Sequence, residues 1–105
     1  MASIKKKTFQ FEMPTVVSLE GVTQFNIYYV KEGTVTYDSP KVTIPAVSGQ
    51  TLYSVVLPDQ MPVTDGQYQI GVSSEDEAGN LSDIAVLDYF FDFVAPTAPT
   101  VLRVI

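Results

Sequence analysis

The chain has 105 residues, 46% hydrophobic and only 17% charged, a balance that suits one packed domain and excludes a disordered chain. It contains no Cys and no His, which removes disulfides, thiolate nucleophiles, Cys-ligated zinc and the usual general base. Lys5, Lys6 and Lys7 hold half of the six basic residues in a net charge of −6, so the rest sets three positive charges against twelve acids, a net −9 that argues against nucleic acid as a partner.

The lysine run comes first in the chain. It reads either as a contact for an acidic partner or membrane surface, or as a solvated arm whose charges guard an edge strand. Met1 to Thr8 is not followed by an apolar signal region, and no apolar run approaches the roughly 18 residues of a spanning helix. Membrane insertion is therefore not expected. The localisation stays open between a cytoplasmic chain, one released without a cleaved signal as inside a virion, and a piece of a longer protein.

Phe9, Phe11 and Met13 alternate with Gln10 and Glu12, which predicts a half-buried strand stopped by Pro14. Thr15 to Thr23 reads as a connection with a weak apolar patch at Val16-Val17 and a turn at Glu20-Gly21. Phe25 to Val30 is a strand rich in aromatic and β-branched residues. Lys31-Glu32-Gly33 then predicts a tight hairpin turn, with Thr34 to Tyr37 returning as the next strand. Lys41 to Ile44 lies between Pro40 and Pro45, which makes it an edge strand or one that changes sheets.

Thr51 to Leu57 predicts a further strand ended by Pro58, and Asp59 to Asp65 a loop. Tyr68, Ile70 and Val72 alternate with polar residues or glycine from Gln67 to Ser73, placing one face on a core. Ala78-Gly79-Asn80 supplies residues that tolerate a reversal of the chain. Ile84 to Val94 is apolar on both faces, with Ile84, Val86 and Phe90 on one and Leu87, Tyr89, Phe91 and Phe93 on the other, so it calls for cover on both. Ala95 to Thr100 is a proline-stiffened link, and Val101 to Ile105 reads as a final short strand.

No apolar pattern of helical period persists for three turns. Short strands at about ten-residue spacing predict an all-β fold, a two-sheet antiparallel β-sandwich of about seven strands.

The run Leu57-Pro58, then Gly66 to Val72, then Asp76 to Ser82 resembles a bacterial or phage fibronectin type III domain of the immunoglobulin-like class. The resemblance implies that Leu57-Pro58 closes strand E and that Tyr68 opens strand F with its hydroxyl bonded back to the preceding loop. It also implies that the turn carrying Ala78, Gly79 and Asn80 joins strands F and G. Phe25 to Gly33 resembles strand C, and Phe9 to Pro14 the end of strand B, where Phe11 stands in place of the family's core tryptophan. The spacing from Leu57 to Tyr68 is longer than the family's.

The order of elements departs further. Residues 1–94 read as strands B to G of the sandwich, whereas 95–105 resemble the linker and strand A that open a following domain. Strand A is thus displaced to the C-terminus. Three arrangements follow: the terminal strand docks beside strand B of its own domain, it enters the vacant position of another copy, or it belongs to a cut tandem array. Val101, Leu102, Val104 and Ile105 are the expected interface, and an uncovered strand B invites strand addition.

Sites for chemistry are sparse. Glu75-Asp76-Glu77 with Asp83 offers oxygen ligands to calcium but lacks the regular spacing, and a solvated turn accounts for it. There is no phosphate loop and no Ser-His-Asp set, and the acids of one turn do not make the opposed pair of a glycosidase. Tyr28, Tyr29, Tyr37, Tyr89 and Phe91 offer rings to a sugar, or else to a core. The expected function is a non-catalytic structural or assembly module of a surface or virion array, with no cofactor and no metal. Its expected partner is protein, including itself by strand addition. The alternative is a carbohydrate- or protein-binding accessory module.

Overall fold

A computed structural model of the protein describes residues 4–14 and 21–105. These form six strands: β1 Lys7–Glu12, β2 Val22–Lys31, β3 Lys41–Pro45, β4 Leu52–Leu57, β5 Gly66–Asp76 and β6 Ala85–Phe91. All pairings are antiparallel, and the strands make two sheets, β1-β4 and β3-β2-β5-β6. The fold is therefore the all-β two-sheet sandwich that the alternating polarity demands. Most of the expected connection at Thr15 to Thr23, with Val16-Val17 and Glu20, lies outside the described residues.

The core forms where the inner faces meet. Ile27 from β2, Val55 and Leu57 from β4, Tyr68 and Ile70 from β5, and Phe91 from β6 are buried there, with Met61 and Val63 from the β4–β5 loop. Near the other end, Phe25 and Tyr53 are buried together. Phe11 stacks on Tyr53 at 5.4 Å and meets Phe25 edge-on at 5.1 Å. It thus supplies a large ring to the aromatic cluster at this end of the sandwich. β5 lies inside the larger sheet, bonded on both edges, and its burial alternates from Tyr68 to Ile70 as its sequence pattern requires.

Three segments differ from expectation. Thr34 to Tyr37 is not a strand, and Lys31-Glu32-Gly33 is not a hairpin turn. β5 takes one edge of β2 as far as Lys31 and β3 takes the other from Gln24 to Tyr28, so only the last residues of β2 keep a free edge, too short for a returning strand. The chain instead lies across the outer face of the larger sheet. The Val35 N–H donates to Gln69 Oε1 at 2.9 Å, and the Tyr37 hydroxyl donates to the Ser82 carbonyl at 2.8 Å. Val35 is buried there, and the Tyr37 ring meets the buried Tyr28 edge-on at 6.3 Å. The alternation of Val35 and Tyr37 therefore serves to cover a sheet, not to build one.

The second difference is β6. The expected strand over Ile84 to Val94 ends at Phe91, and cover is incomplete on both sides: Val86 and Phe90 are exposed outward, Leu87 and Tyr89 inward. The third is the terminal segment. Val101 to Ile105 is not a strand here, because a strand needs an edge to pair with and this segment meets none. It stands away from the body, in a molecule 69 Å long but only 29 and 19 Å across.

Candidate interaction surface at the open sheet edge

A four-stranded sheet facing a two-stranded one leaves part of its inner face without an opposite layer. Among the described residues β1 pairs only with β4, so its other edge presents unpaired backbone groups. Beside that edge runs a groove of about 210 Å³, lined by Lys7 to Gln10 of β1, Leu57, Ile70, and Leu87, Tyr89 and Phe91 of β6. Phe9 points into the sandwich while Thr8 and Gln10 face solvent, so an apolar floor lies beside a hydrogen-bonding edge.

A second depression, of about 310 Å³, lies at the opposite end of β1 between Met13, Val22 and the stretch from Ser74 to Ser82. The turn there is built on Asp76. Its carboxylate accepts the Asn80 backbone N–H at 2.8 Å and the Asn80 side-chain N–H at 3.0 Å. Gly79, at φ +86°, provides the left-handed step that closes the turn, and its N–H donates to the Asp76 carbonyl at 3.0 Å. The Asn80 side chain first, then its backbone, holds the Asp76 carboxyl below its ordinary value of 3.8.

Asp76 is therefore committed to Asn80, while Glu75 accepts from Asn26 at 3.0 Å. Among the described residues no group of three His, Cys, Asp or Glu side chains is placed to hold a metal ion.

The remaining signature residues take structural places. Leu57 is buried and joined to Pro58 by a cis peptide bond. The Tyr68 hydroxyl accepts the Thr64 N–H at 3.1 Å and lies 3.0 Å from Thr64 Oγ1, tying β5 to the loop before it. The five rings considered for sugar stacking are dispersed. Tyr28 and Phe91 are buried, Tyr29 lies against the core, Tyr37 sits on the outer face, and Tyr89 lines the groove.

The terminal segment is anchored only at its root. The Phe93 N–H donates to Asp65 Oδ1, and the Phe93 ring stacks on Phe91 at 5.7 Å. Beyond it Leu102 is 86% exposed, and Val104 and Ile105 are fully exposed. Sequence reasoning named these terminal residues but not Phe9, Leu87 and Tyr89 as the groove they could match. The available signal was the double apolar face of Ile84 to Val94, which overstates what one edge strand can bury.

A family model described as a bacterial Ig-like domain matches residues 2–92. The chain belongs to that family. No curated protein and no solved structure matches it. The matched region ends one residue after β6, so the Ig-like domain takes in all six strands and leaves the exposed apolar segment outside it. Ig-like domains of this kind are generally non-enzymatic modules and often surface-associated.

Proposed function

We infer that this Ig-like domain is a structural module of an ordered surface or virion array, working by joining to its neighbours and presenting its outer surface. The observation that carries the reading is the incomplete sandwich. An apolar groove and an open backbone edge run along β1, in a domain that also carries an exposed apolar extension. An exposed edge of this kind is normally blocked, covered or paired, so its retention favours a partner that completes it.

The fibronectin type III variant of the fold is supported by the sheet composition and by the Tyr68–Thr64 tie. The six strands correspond to B, C, C′, E, F and G, and the edge beside β1 is where strand A would lie.

Sedimentation velocity over a hundredfold range of concentration tests the array reading. The expected result is a mass that grows with concentration. A strict monomer throughout would refute it. An accessory binding role is favoured only by the accessibility of Tyr89 in the groove. Specific retention on a glycan array, abolished by Tyr89→Ala, would support that second reading.

A further inference from the structure

We propose that the groove beside β1 receives residues Val101 to Ile105 of a second copy of this chain, running antiparallel to β1, so that copies join head to tail. The proposal deepens the array reading and rests on it.

Direction decides between a second copy and the chain's own tail. β1 starts at Lys7, opposite Leu57, and Lys7, Leu57 and Phe91 all line one end of the groove. The tail leaves the body at that same end, where Asp65 and Phe91 hold Phe93. Entering from there, a chain's own tail would lie parallel to β1. To lie antiparallel it must first climb the full length of β1 and then reverse. Ala95 to Thr100 reaches about 20 Å at full extension, which is about the length of the six-residue β1, and leaves nothing for the reversal.

The tail of a copy stacked end to end arrives at the Glu12 end and runs toward Lys7 directly. It thereby matches the antiparallel pairing found at every other strand pair of this fold.

The alternation of the tail sets its facing. Arg103 must keep its charge in water, so Leu102 and Val104 turn into the groove. Setting Val104 over Phe9 in the groove and Leu102 over Phe11, next along the same face of β1, places Arg103 across from the solvent-facing Gln10. Leu87 and Tyr89, half uncovered in the isolated chain, then gain the missing layer. The donor and acceptor surfaces differ, so the contact is heterologous, and with copies stacked end to end it propagates as a linear polymer.

The absence of native Cys makes thiol mapping clean. Chains carrying only Gln10→Cys are mixed with chains carrying only Arg103→Cys and oxidised gently. Opposed residues of an antiparallel pair lie about 4.5–5.5 Å apart at Cα, within disulfide reach. The expected result is a disulfide-linked heterodimer forming at least about tenfold faster than with Gln67→Cys on the outer face, because docking raises the local thiol concentration.

Leu102→Asp with Val104→Asp, added to the Arg103→Cys chain, abolishes that acceleration. Both substitutions fall on the exposed tail, and an unchanged melting temperature verifies that the body is intact.

Two results would overturn the proposal. Growth in mass without the mixed disulfide refutes tail docking while leaving the array reading standing, with some other surface or partner completing it. A monomeric Gln10→Cys/Arg103→Cys double variant that closes an internal disulfide, with no product from the mixture, assigns the groove to the chain's own tail and refutes both.

Discussion

Gly71 lies where the β2–β3 connection is pressed onto the sheet, and replacing it by alanine tests that packing directly. A Cβ at this position meets the Ile84 Cγ2 methyl in hard overlap and the Val35 Cγ2 methyl at 2.9 Å. Both methyls branch from Cβ and have little freedom to swing aside. Overpacking of this kind costs about 1–3 kcal/mol. Against it stands the lower chain entropy of an unfolded alanine, which returns about 0.4–1 kcal/mol where the backbone is compatible.

The net expectation for Gly71→Ala is a loss of about 1–2 kcal/mol, or roughly 5–10 °C in Tm for a domain of this size. Urea unfolding followed by circular dichroism gives the free energy, and a double-mutant cycle locates its origin. Ile84→Ala removes the nearer methyl, so the double variant is expected to recover about 1 kcal/mol relative to the sum of the single losses. A Gly71→Ala protein as stable as the original would refute the packing of this connection over β5, and strict additivity in the cycle would refute the contact with Ile84.

Three further outcomes follow from the geometry. Tyr68→Phe keeps the buried ring but leaves the Thr64 N–H without its acceptor, and is expected to cost about 1–2 kcal/mol by chemical denaturation. Asp76 has a carboxyl held below its ordinary 3.8, so its contribution is fully present above that value and disappears as pH falls through the lowered one. The Tm gap between the original chain and Asp76→Ala should therefore narrow in acid and stay constant above about pH 5. Lys6 and Asp59 form a 2.7 Å ion pair with both side chains at least half exposed, so Asp59→Asn should cost under about 1 kcal/mol and less still in high salt.

The sheets were legible in the sequence wherever polarity alternates along a strand that lies on the core. Phe9 and Phe11 in β1 and Tyr68 and Ile70 in β5 are cases where a period of two has one physical solution. Val35 and Tyr37 carry the same local pattern with a different outcome. Alternation reports that a segment has an apolar side, not whether its backbone finds a free edge, and β2 gives most of both edges to β3 and β5.

The groove was illegible for a related reason. Its walls come from β1, β4, β5 and β6, and its existence depends on one sheet having fewer strands than the other. No single stretch encodes that difference. The acidic turn was visible as a turn, but the choice of Asp76 as the carboxylate that binds Asn80 depends on the chain having already reversed there.

The hook between Asp65 and Phe93 has a mechanical meaning. Tension on residues beyond 93 reaches the body at the Asp65 carboxylate and the Phe91–Phe93 stack before it reaches β6. β6 itself is bonded to β5 by a ladder perpendicular to its length, from Gly66–Phe91 to Val72–Ala85. A pull along its axis therefore strains those bonds together instead of peeling them one by one. The apolar extension is thus mounted on a strand that takes a pull in shear.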